Sequence, residues 1–221
     1  MKLYNVLYKV MGIQFGKGLR LQGFPILFSK SRAGVTLGDD VTIKSSFLSN
    51  LIGLYQRTVM VARTPEAKII VGNDVGMSGV TIYARDSIRI GSHTRIGANT
   101  KIMDNDFHPV DPQLRMTCSN KNMGVSSIEI GENVFIGCNC LILKGAKIGS
   151  NTTIGAGSVV TGNIPENCVA AGNPAKVIKK LGGVNSFSPY GSRWILHKKS
   201  TGIRFENEKF MIAGKEKLCI A

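Results

Sequence analysis

From Ile130 to Pro165 the chain reads in sixes: Ile130-Gly131-Glu132-Asn133-Val134-Phe135, Ile136-Gly137-Cys138-Asn139-Cys140-Leu141, Ile142-Leu143-Lys144-Gly145-Ala146-Lys147, Ile148-Gly149-Ser150-Asn151-Thr152-Thr153, Ile154-Gly155-Ala156-Gly157-Ser158-Val159 and Val160-Thr161-Gly162-Asn163-Ile164-Pro165. An aliphatic residue returns at every sixth position, with a small residue four places after it. A helix repeats near 3.6 and a half-buried strand at 2, so neither produces this pattern. Each six residues make one flat side of a triangular coil, a short strand and a corner, and three sides close one rung of a parallel β-helix. The aliphatic residue fills the axis, and the small one sits beside it where nothing larger fits. Asn133, Asn139, Gly145, Asn151 and Gly157 fall where the corners need unusual backbone angles.

The same phrase, aliphatic-Gly with a small residue four places on, opens at Leu37, Val71, Ile90 and Ile96 as well as at Ile130, Ile136, Ile148 and Ile154. It organises an all-β chain: a parallel β-helix over 19–178, a short N-terminal helix or cap over 1–18, and a basic C-terminal extension over 179–221. In residues 1–18 the apolar Leu3, Val6, Leu7 and Val10 share a helical face opposite Lys2, Asn5 and Lys9, which suits a solenoid cap or a helix lying on a membrane surface. Residues 47–68 break the phase. The 28 residues from Ile102 to Ile130 are not a multiple of six, and the polar, Pro-containing segment 103–127 reads as a loop inserted in the coil. Residues 182–221 lose the repeat and are expected to fold back as a hairpin or a helix.

Composition narrows the function. The 28 Lys+Arg against 14 Asp+Glu leave a net charge of +14, and residues 176–221 hold ten basic and three acidic side chains, an end that attracts anions. No helix-turn-helix, zinc finger or aromatic RNA-binding signature accompanies the charge, so nucleic acid is not the expected partner. The five cysteines form no CxxC pair, which argues against a zinc site or a disulfide framework and fits a reducing cytoplasm. No apolar run is long enough to span a bilayer, and no signal peptide is evident.

Three histidines are present. His93 lies in a regular corner and His197 among tail lysines, both reading as solvated. His108 stands at the mouth of the inserted loop, in Met103-Asp104-Asn105-Asp106-Phe107-His108-Pro109-Val110. A neutral imidazole can take a hydroxyl proton near pH 7, and two preceding carboxylates would raise its basicity.

Together the repeats, the His108-Pro109-Val110 loop and the ending Ala171-Gly172-Asn173-Pro174-Ala175-Lys176 resemble the hexapeptide-repeat acetyltransferases, close to galactoside and maltose O-acetyltransferases and closer still to polysaccharide-cluster O-acetyltransferases. The resemblance covers Val71 to Lys180. It implies a left-handed coil, a homotrimer with active sites between subunits, acetyl-CoA as co-substrate and no metal. His108 matches the family's base for direct transfer to a sugar hydroxyl. A backbone amide facing the acyl group falls at Cys138, the pantetheine arm passes Ala156 and Thr161, and Lys176 and Lys179 meet the CoA phosphates.

The acceptor side departs from the galactoside enzymes: Met77 and Arg85 stand where those have Asn and Asp, with Ser78 and Asp86 alongside. Ser78, Arg85, Asp104 and Asp106 are the acceptor-side candidates, and Arg85 points to an acidic or phosphorylated sugar. The expected activity is acetyl transfer to a sugar hydroxyl in bacterial surface-polysaccharide synthesis, in the cytoplasm or at the inner face of the membrane. N-acetylation of an amino sugar and a non-catalytic binding β-helix are the alternatives.

Overall fold

The computed structural model describes residues 8, 11–116, 122–182, 190–199 and 202–211. Three sheets, parallel throughout except for the last strand of one, form the walls of the coil. Wall A holds seven strands from Gln14–Phe15 to Asn163–Ile164, wall B eight beginning at Arg20–Gln22, and wall C six from Ile26–Ser29 to Val159–Val160. The coil is left-handed, as the resemblance implies. It opens at Gln14, whose strand pairs with Val35–Leu37.

Register explains the repeat. Leu37, Val71, Ile90, Ile130, Ile148 and Ile164 stack in wall A, and Ile43, Met77, Ile96, Ile136, Ile154 and Ala170 in wall B. Wall C contributes Leu27, Met60, Ile82, Ile102, Ile142 and Val160. The eight aliphatic-Gly positions and the eight small residues that follow them are all buried, none more than 3% exposed. Where the small residue is a hydroxyl, it ties rungs together: Thr94 Oγ1 donates to Gly131 O (3.1 Å) and Thr100 Oγ1 to Gly137 O (3.0 Å). The hydroxyls of Thr94 and Thr100 are thereby satisfied inside the coil.

Corners fall as the sequence predicts, with positive φ at Asn133 (53°), Asn139 (55°), Gly145 (76°), Asn151 (58°) and Gly157 (71°). His93 occupies another such corner (φ 63°), its Nδ1 3.1 Å from Asp74 Oδ2. The final coil is closed by Ala175–Lys180, which runs antiparallel to Cys168–Gly172 at the edge of wall B.

Residues 182–221 form a second unit whose described strands, Tyr190–Lys199 and Gly202–Met211, pair antiparallel as a hairpin. The expected N-terminal helix lies outside the described residues apart from Tyr8, which is buried and donates from its hydroxyl to Pro25 O. Among the described residues no helix is long and apolar enough to cross a membrane.

Candidate active site

The inserted loop leaves the coil at the edge where wall C meets wall A, after strand Lys101–Met103 and before Ile128–Ile130. Its root is wired by side chains. Asp104 is fully buried, and its carboxylate accepts the backbone N–H of Arg85 (2.9 and 3.0 Å to its two oxygens), the N–H of Asp86 (2.8 Å) and Asn105 Nδ2 (3.1 Å). Asn105, also buried, accepts the Phe107 N–H (3.0 Å) and bridges to Val125.

Phe107 is held at φ 61°, a conformation costly for an L residue, and its ring packs on Tyr83 with centroids 4.8 Å apart. Asp106 pairs with Lys144 (3.2 Å), and its carbonyl accepts the His108 N–H (2.7 Å). Farther out, Asp111 Oδ1 accepts the N–H groups of Gln113 and Leu114 at the start of the helical turn Pro112–Met116.

The result is a rigid turn that presents His108 to solvent. Sequence reasoning expected the two preceding carboxylates to act on the imidazole or the acceptor. Asp104 instead faces inward onto backbone amides, and Asp106 is engaged with Lys144. Among the described residues the His108 ring has no hydrogen-bond partner, so its accessible nitrogens are open to a substrate.

Cys138 occupies a different edge, where wall B meets wall C. The corners Gly97-Ala98-Asn99, Gly137-Cys138-Asn139 and Gly155-Ala156-Gly157 stack there: Asn139 N–H donates to Ala98 O and Gly157 N–H to Cys138 O, both at 2.8 Å. The stacking requires glycine, since a Cβ on Gly97 would lie 2.5 Å from Cys138 N and one on Gly137 2.5 Å from Ala156 N. Among the described residues the Cys138 N–H has no acceptor. Below Ala156 the edge continues to Ala171, which pairs with Lys176. Ala156, Lys176 and Lys179 are all exposed. Cys138, Ala156 and Lys176 thus form one track descending into positive charge.

Cys138 is half-buried, whereas Cys140 points into the core, where burial pushes its thiol up from the ordinary value and keeps it protonated.

Ser78 lies two rungs above Cys138 on the same edge, nearly buried and accepting a hydrogen bond from Asn50 Nδ2 (3.1 Å). Arg85, Asp104, Asp106 and His108 lie on the other edge, and so does Thr161, which follows Val159–Val160. The two edges are separated by the breadth of wall C, roughly 15 Å for a short strand and its corners. One chain therefore does not bring His108 to Cys138.

Wall C itself is distinctive, because its outward side chains include Val59, Val61, Tyr83, Met103, Leu141 and Leu143, each half-buried. Wall A instead turns Lys68, Arg89, Glu129 and Lys147 outward. Sequence reasoning missed one component of the second edge. Residues 45–58, most of them in the first part of the 47–68 stretch where the phase breaks, leave wall B and lie along the corner above Asn139. The only signal for them was that break in phase, together with its apolar Phe47, Leu48, Leu51 and Ile52.

Known proteins share this pattern. The family description "Bacterial transferase hexapeptide (six repeats)" matches residues 127–162. The galactoside O-acetyltransferase of Lactococcus lactis is 40% identical over 102 residues, 46% of this chain and 47% of that protein. The putative lipopolysaccharide biosynthesis O-acetyl transferase WbbJ of Escherichia coli is 39% identical over 109 residues, 46% of this chain and 54% of that protein. The chain thus spans about half the length of the curated relatives it matches.

Among solved structures, a maltose O-acetyltransferase from Clostridium difficile aligns with TM-score 0.50 and 27% identity over 81% of this chain and 74% of its own. AntD, an N-acyltransferase from Bacillus cereus solved with dTDP and coenzyme A, aligns with TM-score 0.63 over 82% and 91%, and at 17% identity it shows a shared fold. Over residues 127–162 the chain carries the bacterial transferase hexapeptide repeat, wound into the left-handed β-helix of these acyltransferases.

Proposed function

We propose that the protein is an acetyl-CoA-dependent O-acetyltransferase acting on a sugar hydroxyl in cytoplasmic assembly of a surface polysaccharide, with His108 as general base. The observation that carries this reading is the loop at the edge of walls C and A: buried Asp104 and Asn105, with a left-handed Phe107, fix one solvent-facing imidazole. The names of relatives near 40% identity agree with it.

His108 takes the proton of the acceptor hydroxyl as its oxygen attacks the thioester carbonyl. The developing oxyanion is met by the Cys138 N–H, a fixed dipole that needs no reorganisation. As the new C–O ester bond forms the C–S bond breaks, and the proton held by His108 passes to the departing thiolate. No covalent enzyme intermediate is needed, and Cys138 serves through its amide. The CoA arm runs past Ala156, with Lys176 and Lys179 as point charges for its phosphates, and Thr161, on the His108 edge, meets it only where a neighbouring copy presents that edge. Arg85 and Asp106, on the His108 edge, serve the acceptor side, Ser78 serves it from the Cys138 edge, and Asp104 supports the His108 loop from within.

His108 and the Cys138 track sit on opposite edges of wall C, so the cleft requires a neighbour that presents its own edge. A homotrimer whose apolar C walls are covered by packing meets that need, and it makes acyl transfer nearly intramolecular once both substrates bind.

Thiol release with hydroxy and amino sugars tests the reading. His108→Ala should preserve trimer mass and CoA affinity while lowering kcat at least ~10²-fold. Retained turnover would remove His108 from its role. A preference for amino sugars would redirect the assignment to N-acylation, and failure of CoA to bind would point to a non-catalytic scaffold.

A further inference from the structure

The outer face of wall B carries one column of residues in register: Arg20, Thr42, Gly76, Arg95, Phe135 and Thr153. Gly76 leaves a gap in the column, and Lys44, Gly76, Ser78, Arg95 and Phe135 line a groove of ≈ 340 Å³ there. Its chemistry is mixed. Phe135, the one aromatic side chain of the column, is 52% exposed. Arg95 Nη2 donates to both oxygens of Asp74 (3.1 and 2.9 Å), and Arg20 pairs with Asp40 (3.6 Å). Lys44 has no carboxylate partner among the described residues, so the groove holds one uncompensated positive charge beside a neutralised Arg95–Asp74 pair.

The groove has a fixed relation to the transfer site. Gly97 lines its lower end, and Gly97 is stacked so closely on the next corner that a Cβ there would lie 2.5 Å from Cys138 N. From that corner the CoA track descends past Ala156 to Lys176, whereas the groove climbs two rungs from Phe135 to Gly76, about 10 Å and longer than one hexose ring. In the trimer proposed above the C walls are covered by packing, and the outer face of wall B is not.

We infer that this groove binds a carboxylate-bearing saccharide unit of the acceptor, next to the unit that is acetylated. The inference rests on the acyltransferase reading and names the substrate class of that site: an acidic oligosaccharide. The Phe135 ring offers a flat apolar surface to the C–H face of a sugar, and Ser78 with the Arg95–Asp74 pair offers donors and acceptors to its hydroxyls. Lys44 meets the carboxylate as a point charge. One free lysine matches a single negative charge, and Asp74 at the rim repels a dianionic phosphate. Because donor and acceptor leave the Cys138 corner in opposite directions, a chain can lie in the groove without displacing CoA.

Trisaccharides of glucuronate, galacturonate and mannuronate, each beside its uncharged methyl ester, are the probes, titrated calorimetrically into the full-length protein. At least one acid should bind the wild type more tightly than its ester. Lys44→Gln should weaken that acid about 3- to 10-fold and leave the ester unaffected, whereas Phe135→Ala should weaken both about fivefold. Gly76→Thr, which places in the gap the residue type that the column already holds at Thr42 and Thr153, should abolish binding of both, with thermal melts reporting an intact fold. Equal affinity of acid and ester, no binding of any probe, or a loss with Lys147→Gln on wall A as large as with Lys44→Gln overturns the inference. So does a change in assembly mass of Phe135→Ala, which would make the face a contact between copies of this chain. Thiol release with neutral monosaccharides separates the two claims: turnover without trisaccharide binding sinks only this inference, and binding without turnover of any acceptor sinks only the acyltransferase reading.

Discussion

Asp104→Asn separates support from substrate binding at the root of the His108 loop. In the wild type one carboxylate oxygen accepts from Arg85 N–H and Asn105 Nδ2, and the other from Arg85 N–H and Asp86 N–H. Whichever way the new amide is oriented, its NH₂ faces a donor, so one buried partner loses its acceptor. The ionic reinforcement of the remaining bonds is lost too. Hydrogen bonds to a buried charge are worth more than neutral ones, and an orphaned buried donor adds its own desolvation cost, so the total is about 3 kcal/mol. For a chain of this size that corresponds to a Tm lower by roughly 6–12 °C. Calorimetric melts of the two proteins side by side supply the measurement. An unchanged Tm together with a raised acceptor KM would refute the reasoning and make Asp104 an acceptor ligand.

Gly97→Ala should be both destabilising and inactivating, because its Cβ would stand 2.5 Å from Cys138 N and 2.6 Å from Gly137 C, with no flexible side chain to yield. A loss of about 1–3 kcal/mol in denaturant titrations is expected, and a variant of wild-type stability and activity would show that the corner does not fix the amide. Under brief iodoacetamide treatment Cys138 should be labelled before Cys140 and Cys168, which are buried, Cys140 with its thiol held in the protonated form. Peptide mapping that finds Cys140 modified at the rate of Cys138 contradicts that ordering.

Hydrogen bonds from Arg95 and then His93 lower the Asp74 carboxyl below its ordinary value of 3.8. A depressed folded-state value stabilises above the unfolded value and loses that contribution as pH falls through the lower one. Asp74→Asn should therefore reduce stability at neutral pH, with the gap from wild type narrowing below pH 3.8. A gap that stays constant into acid would assign the effect to packing.

The coil was legible because its core imposes one rule on every rung. An aliphatic side chain at Ile96, Ile136 or Ile154 fills the same slot, and a corner such as Asn139 must turn left-handed each time. Repetition multiplies a weak local preference into a clear pattern. The loop histidine stood out because its segment interrupts the period.

The direction of the neighbouring side chains was not legible. Asp104 and Asp106 sit two apart in a polar stretch, yet one is drawn inside by the bare amides of the Arg85–Asp86 turn, which is adjacent only after a full coil has closed. Nor could the hexads reveal that His108 and Cys138 fall on different edges. That depends on which of three walls each hexad occupies, and the insertion of residues 103–127 shifts the count. Residues 45–58 obey no period, so their path along the corner is set by contacts distant in sequence, among them those with Phe24, Ser78, Gly79, Asn99 and Asn139.

The stack from Cys138 to Ala156 has a metric consequence. Those residues are one full turn apart, so the prism advances about 4.8 Å for every eighteen residues and works as a ruler with that graduation. Splicing a complete coil between Gly137 and Gly155 would preserve every corner while moving Lys176 one graduation farther from the reacting carbon. Such a protein should favour a thioester with a longer arm, and excising a coil should favour a shorter one.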